Sequence, residues 1–269
     1  MKTFCIIGDE RAFRTKSPVM FTRVFERIGI SASYIPLKVL PNQIGEAMQS
    51  LKTLNFDGAN ITIPHKSSVI PYMNILSEGA NIIGAVNTII RNGNELKGYN
   101  TNAIGFMDTL EEHGFDVTGK RALVFGSGGG ARAVIFILNW LRSESVEISG
   151  RTAHRVENII KKIGGTPTDL KTLGKIGSGA NIVINTTPIC SQDDSPEFTQ
   201  FLDAQKFTDC ELIVDLNYGR KNSIWENKAK ELGVPFIDGL GPLAHSARRT
   251  LLLWTRVDVD SSEFLKALE

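Results

Sequence analysis

The residues best suited to chemistry begin with a run of small ones, Gly126-Ser127-Gly128-Gly129-Gly130-Ala131, in a chain of 269. A short apolar segment, Ala122–Phe125, precedes them, which suits a strand buried on both faces. The glycines permit a tight turn and let backbone approach a ligand closely. Ala131–Leu141 follows with Val134, Ile135, Leu138 and Leu141 at helical spacing. A strand, a glycine turn and a helix start present unpaired N–H groups to an anion, and the anion suggested is a dinucleotide pyrophosphate. A plain structural turn is the alternative reading of the glycines alone. The next strand, Val146–Ser149, ends about 20 residues beyond them, where this fold places its ribose reader. An NAD site wants Asp or Glu there. This chain has Arg151 and Thr152, with Arg155 one helical turn on. A guanidinium pairs well with a 2′-phosphate, so these residues point to NADP, with a solvated helix-start charge as the bland reading of Arg151.

A second candidate is Lys66. Gly58–Ile63 reads as a strand, and Pro64-His65-Lys66 leaves its C-terminal end. Open α/β sheets bind ligands outside the carboxyl ends of their strands.

The elements that must position these residues alternate along the whole chain. Thr3–Ile7 is a strand. Pro18 allows a helix start, and Met20, Phe21, Val24, Phe25 and Ile28 give it an apolar face. Ser33–Leu37 is a strand and Gln43–Leu54 a helix. Ala85–Arg91 and Leu96–Tyr99 form a hairpin about Asn92-Gly93-Asn94. Asn102 is placed to cap a helix from Ala103 to His113. Beyond the glycines come a helix marked by Val156, Ile159, Ile160 and Ile163, strands at Ile182–Asn185 and Leu212–Leu216, a helix around Glu226–Leu232 and a strand at Pro235–Ile237. Helices at Pro242–Trp254 and Ser261–Leu268 end the chain. This alternation makes α/β layers. The expectation is two α/β domains. Residues 1–103 with 239–269 form a substrate-binding, catalytic domain, and 104–238 form a Rossmann-type NADP-binding domain. The active-site cleft is expected between them.

Bulk composition narrows the function classes. Lys plus Arg is 30 against 29 Asp plus Glu, so no basic excess points to nucleic acid or an anionic membrane. No apolar run approaches membrane-spanning length, and MKTFCIIGDE turns polar too early for a secretory leader. Cys5, Cys190 and Cys210 are odd in number and widely spaced, with neither a disulfide nor a metal pattern. A cytoplasmic protein without metal is expected, as monomer or homodimer, acting on a small molecule.

Several segments together resemble the shikimate dehydrogenase family. They are Lys16-Ser17-Pro18, Asn60-Ile61-Thr62-Ile63-Pro64-His65-Lys66, Gly84-Ala85-Val86-Asn87-Thr88, Gly98-Tyr99-Asn100-Thr101, Gly126–Ala133, Asn185-Thr186-Thr187-Pro188, Asp215 with Tyr218, and Gly239-Leu240-Gly241. They occur in the family's order and run nearly end to end. The resemblance implies reversible, NADP-dependent reduction of a ring ketone, 3-dehydroshikimate, to shikimate. It implies that Ser17 and Thr15 hold the substrate carboxylate. Asn60, Thr62, Asn87 and Tyr218 would face the ring, Ser246 would stand at a substrate position of the last long helix, and Lys66 would transfer the proton. Thr186 and Gly239 would join Gly126–Ala131, Arg151, Thr152 and Arg155 at the cofactor. The chemistry is coherent, because hydride transfer to a ketone leaves an alkoxide that a nearby donor stabilises.

The departures from the family cluster at the substrate end. Asn102 stands where the family has an Asp that pairs with the lysine. Arg14-Thr15 replaces a His-Ser pair, with one extra residue since Gly8. Ser246 replaces a Gln, Pro242 a Met and Cys190 a Gly. Arg14 is either a bidentate partner for a substrate carboxylate or a solvated loop residue. Three explanations compete: an altered ring substrate, an isosteric Asp-to-Asn exchange of the kind made to trap a complex, and a catalytically silent NADP-binding sensor or partner protein. The number of changes favours the first. Oxidation of a folate one-carbon adduct on a similar scaffold is a further alternative, against which Ser17 and Lys66 argue. Among the histidines, His65 falls at a variable position, while His113, His154 and His245 read as helix-surface residues.

Overall fold

The first strand, β1 (Lys2–Gly8), is apolar on both faces, and the layers of the first unit form around it. The structure is a computed structural model and describes residues 1–176, 179–220 and 222–269. After β1 come α1 (Ser17–Arg27), β2 (Ala32–Lys38), α2 (Ile44–Thr53), β3 (Gly58–Ile61), β4 (Ile75–Leu76), α3 (Glu78–Ile83), β5 (Thr88–Asn92), β6 (Glu95–Tyr99) and α4 (Thr101–Glu112). The second part continues with β7 (Arg121–Phe125), α5 (Gly129–Trp140), β8 (Ser145–Ser149), α6 (Ala153–Ile163), β9 (Thr166–Thr168), α7 (Leu170–Ile176) and β10 (Ile182–Asn185). It then runs through α8 (Pro196–Ala204), β11 (Leu212–Asp215), α9 (Ile224–Leu232) and β12 (Phe236–Ile237), and the chain closes with α10 (Leu240–Thr255) and α11 (Ser261–Lys266).

Two compact units result: Met1–Gly105 with Leu243–Glu269, and Phe106–Pro242. Both boundaries fall inside helices, α4 and α10, a few residues beyond the positions 103/104 and 238/239 read from the sequence.

The first unit holds a six-stranded sheet in the order β2-β1-β3-β5-β6-β4. β1 pairs parallel with β2 and β3, and β3–β5 and β5–β6 are antiparallel. Side chains alternate across β1. Phe4 and Ile6 join one core with Phe21, Phe25, Leu251, Trp254 and Phe264, so α1, α10 and α11 cover that face. Cys5 and Ile7 join another with Ile44, Met48, Ala59 and Ile61, under α2. Trp254 stacks on Phe4 with ring centroids 4.2 Å apart, and its Nε1 donates to the Ile89 carbonyl at 3.0 Å. Trp254→Ala should therefore cost about 3–5 kcal/mol of stability. Urea denaturation checks this, and a loss under about 1 kcal/mol would show that α10 is not anchored there.

The second unit has a six-stranded sheet in the order β12-β11-β10-β7-β8-β9, parallel at every pairing. Read from β9, this is the doubly wound strand order of a Rossmann fold, with β7 first in chain order and central in space. Phe125, Phe198 and Trp225 fill the core beside it.

Three sequence expectations are corrected. The β3 strand stops at Ile61, because Thr62 N–H donates to the Ile7 carbonyl at 2.9 Å and the chain then turns through a cis Ile63–Pro64 bond. Residues 85–87 lie outside the β5 ladder, since Val86 N–H donates to the Lys66 carbonyl at 2.7 Å. Asn102 is not the cap of α4. Asn100 is, its Oδ1 accepting from Ala103 N–H at 3.1 Å, and Asn102 sits in the first turn with its side chain free of that duty. The elements β4, α3, β9, α7 and α8 carry no strong periodic signal and were not expected.

Candidate functional site

Lys66 rides on the turn that leaves β3. Its carbonyl is pinned by Val86 N–H, and the next residue, Ser67, donates from Oγ to the Gly84 carbonyl at 3.0 Å. The loop is thereby fixed before the lysine side chain is considered. Lys66 is half-buried, and desolvation pushes its amine down to about 8. No carboxylate pairs with it among the described residues. An amine in this state both donates and accepts a proton near neutral pH, as reversible carbonyl reduction requires. His65 is buried, with Nε2 at 2.8 Å from the Val39 carbonyl, and His245, expected on a helix surface, is buried as well.

Beside this loop, in the same unit, lies a buried network of hydroxyls and amides. Thr101 N–H donates to Asn87 Oδ1 at 2.6 Å. Asn87 Nδ2 donates to Thr101 Oγ1 and to Asn102 Oδ1, both at 2.9 Å. Ser246 Oγ, on α10, donates to the same Asn102 Oδ1 at 3.1 Å and lies 2.9 Å from Thr101 Oγ1. Thr88, Thr101 and Thr250 hydroxyls lie within 3.1 Å of one another. Asn60 closes the far end: it accepts from Tyr34 Oη at 2.8 Å, and its Nδ2 donates to the Asn87 carbonyl and Thr88 Oγ1, each at 3.1 Å.

The structure thus joins Asn60, Asn87, Asn102 and Ser246 but gives them different work. Both N–H groups of Asn60 and both of Asn87 are committed inside the protein. Asn87 braces Thr101 and Asn102, and Asn60 braces Asn87 and Thr88, in contrast to the ring-facing donors expected of them. Tyr34, Thr88, Thr101 and Thr250 were missed by the sequence reading. Thr250 could have been found there, since it follows Ser246 by four on a helix and so shares its face. Thr15 donates its hydroxyl to the Ala12 carbonyl at 3.1 Å, and Ser17 is buried at the start of α1. Thr62 packs its methyl against Gly8, where any Cβ would collide with it. Arg14 is exposed at the end of the 3-10 turn Glu10–Arg14. Tyr218 lies in the second unit, just beyond β11.

In the second unit the glycine turn has the geometry a dinucleotide phosphate needs. Gly126 has φ +123°, and a Cβ there would run into Thr186 Oγ1. Thr186 cannot yield, because its Oγ1 and N–H both donate to the Phe125 carbonyl, at 2.7 and 2.9 Å. Gly128 is the cap residue of α5, has no side-chain bond to it, and has open space where a Cβ would stand. The first helical bond runs from Arg132 N–H to the Gly128 carbonyl at 3.1 Å, so the N–H groups of Gly129, Gly130 and Ala131 precede it and are available to an anion. Gly150 lets Ser127 pack close to the end of β8. Arg151 and Arg155 are exposed at the start of α6, and Thr152 caps that helix without using its hydroxyl. Gly239 is required where it is, since a Cβ would strike the Leu216 carbonyl. These residues fit NADP: backbone donors for the pyrophosphate, and guanidinium groups in place of an acid at the ribose.

Asp215 is held above its ordinary range, at about 6, by burial, against hydrogen bonds from Asn217 and Asn185 that pull it down. Asn185 Nδ2 reaches it at 2.8 Å while Asn185 Oδ1 accepts from Thr187, which fixes the turn after β10. Among the described residues no group of His, Cys, Asp and Glu could hold a metal, and no helix is long and apolar enough to cross a membrane.

Comparison with known proteins agrees with this geometry. The family model for the shikimate dehydrogenase substrate binding domain matches residues 6–89. A shikimate dehydrogenase (NADP(+)) of Nitrosopumilus maritimus is 31% identical over 99% of this chain and 98% of its own length. One from Geobacillus kaustophilus is 33% identical over 89% of this chain and 87% of its own. Among solved structures, shikimate dehydrogenase from Aquifex aeolicus superposes with a TM-score of 0.89 at 28% identity, over 100% of this chain and 98% of its own. The Thermus thermophilus enzyme in complex with NADP(H) and shikimate gives 0.82 at 29% identity, over 99% and 98%. With similarity of this extent across both units, the chain belongs to the shikimate dehydrogenase family.

Proposed function

We propose that this protein is an NADP-dependent dehydrogenase that interconverts a ring ketone and a ring alcohol on a cyclic hydroxy acid, with 3-dehydroshikimate and shikimate as the first pair to test. The observation that carries this reading is Lys66: a half-buried amine lowered to about 8, fixed on a braced loop of the unit that the substrate-binding family model matches. When bound, NADP supplies or takes the hydride. Lys66 Nζ gives a proton to the oxygen that becomes the alcohol, and takes it back in oxidation. Ser17 holds the carboxylate, with Thr15 beside it once its hydroxyl turns from the Ala12 carbonyl, and Thr62 faces the ring. NADPH oxidation against a panel of cyclic keto acids tests the proposal. Tight NADPH binding with no turnover on any of them would favour the competing reading, a silent NADP-binding protein, which the Asn at 102 motivates.

Cofactor choice gives a separate prediction. Arg151 follows the C-terminal end of β8, where residues 150–156 hold no acid to bond a 2′-OH. NADP should bind at least about tenfold tighter than NAD, and Arg151→Ala should remove roughly 10–100-fold of NADP affinity with little effect on NAD. Titration of the two cofactors checks it, and equal affinities in the unmutated protein would overturn it.

A further inference from the structure

We propose that Asn102 sets which ring substituent this site accepts: it offers the ligand N–H donors and no acceptor, so the group seated beside it must accept a hydrogen bond. The inference rests on the reading that a cyclic hydroxy acid binds in this unit.

One donor in this network has a direction that is not adjustable. Thr101 N–H is backbone, and it points at Asn87 Oδ1 at 2.6 Å. That fixes which end of the Asn87 amide is oxygen, so Nδ2 is the end facing Thr101 Oγ1 and Asn102. Its two hydrogens are then both assigned. The Asn102 atom 2.9 Å away must be an acceptor, which is Oδ1; the opposite orientation would set two NH2 groups against each other. Ser246 Oγ donates to this same oxygen at 3.1 Å and fills its second lone pair. Only Nδ2 of Asn102 remains. It has no protein partner among the described residues and is not among the buried unsatisfied atoms. A carboxylate at 102, held by the same two donors, would present an oxygen in that place. Asn and Asp have nearly the same shape, so the two differ in the polarity of one hydrogen-bonding atom. A hydroxyl serves either residue by turning its proton; an acceptor-only group serves only the amide.

The test uses the full-length protein with NADP+ bound, and shikimate beside analogues in which each ring hydroxyl in turn is replaced by fluorine, a group that accepts weakly and cannot donate. Dissociation constants are measured by calorimetry for the unmutated chain, Asn102→Asp and Asn87→Asp. In the last variant the carboxylate accepts from Thr101 N–H and draws Asn102 Nδ2 inward, which turns Asn102 Oδ1 toward the ligand. At one ring position, the penalty for fluorine relative to hydroxyl should be about tenfold larger in both variants than in the unmutated chain. An equal penalty in the unmutated chain and Asn102→Asp at every ring position overturns the proposal, and needs no contribution from Asn87→Asp. Failure of shikimate itself to bind the unmutated chain, with NADP+ still bound, overturns the substrate reading and this inference with it.

Discussion

Lys66→Ala should lower turnover of the substrate by about 10²–10⁴-fold, the range expected when a positioned proton donor is removed, while leaving NADP+ affinity nearly unchanged. The side chain lies in the first unit, and the glycine turn that fits the cofactor phosphates lies in the second. The pH dependence should change as well. Burial lowers the amine to about 8, and no carboxylate among the described residues raises it again. Oxidation needs the neutral amine, so its kcat/KM should rise with pH up to about 8 and then level. Ketone reduction needs the ammonium form and should fall above the same point. Both trends should vanish in Lys66→Ala. Steady-state rates in both directions across pH 6–10 decide the matter. Normal turnover in the variant, or an unchanged profile, would place the proton donor elsewhere. Asn102→Asp adds a negative charge to the same unit, and a carboxylate near the amine would move the inflection upward.

Gly126→Ala should weaken both the second unit and its hold on NADP, whereas Gly128→Ala should affect the cofactor alone. At Gly126 a left-handed φ of +123° and the fixed Thr186 leave no place for a methyl group. Strain of this kind costs about 1–3 kcal/mol, and relieving it displaces the turn that presents the N–H groups. At Gly128 the backbone is extended and the space is open, so a methyl costs the fold little. It would occupy the room through which a pyrophosphate approaches, and affinity should fall about tenfold or more. Thermal unfolding together with NADP titration separates the two effects. Full NADP affinity in Gly128→Ala would mean that the phosphates do not pass this turn.

Much of this was legible in the sequence because it depends on local chemistry. Ala122–Phe125 with the glycines after it specifies a strand, a turn and a helix start within a few residues, and no distant partner is needed to read them. The absence of an acid after β8, with Arg151 and Arg155 in its place, is equally local. Periodicity placed α1 and α6 because each buries one stripe of side chains. The order of the segments carried the family resemblance, and the comparisons show the same family.

The tertiary structure decided what hydrogen bonds across distant segments decide. Asn100 and Asn102 are both competent helix caps by residue type. Asn100 takes that role because its Nδ2 also reaches the Ala85 carbonyl at 2.9 Å, and this leaves Asn102 for Asn87 and Ser246. Asn60 and Asn87 have the chemistry to bond a ring, but their donors are consumed by Thr88 and Thr101 partners, and the Asn60 oxygen by the Tyr34 hydroxyl, all of them groups that only the fold brings near, Asn60 lying opposite Thr88 in the sheet register. Ser246 meets Asn102 across 144 residues of sequence. Residue type fixes what an amide or hydroxyl can do. Which of those bonds it makes is a competition among neighbours, and the fold chooses the neighbours.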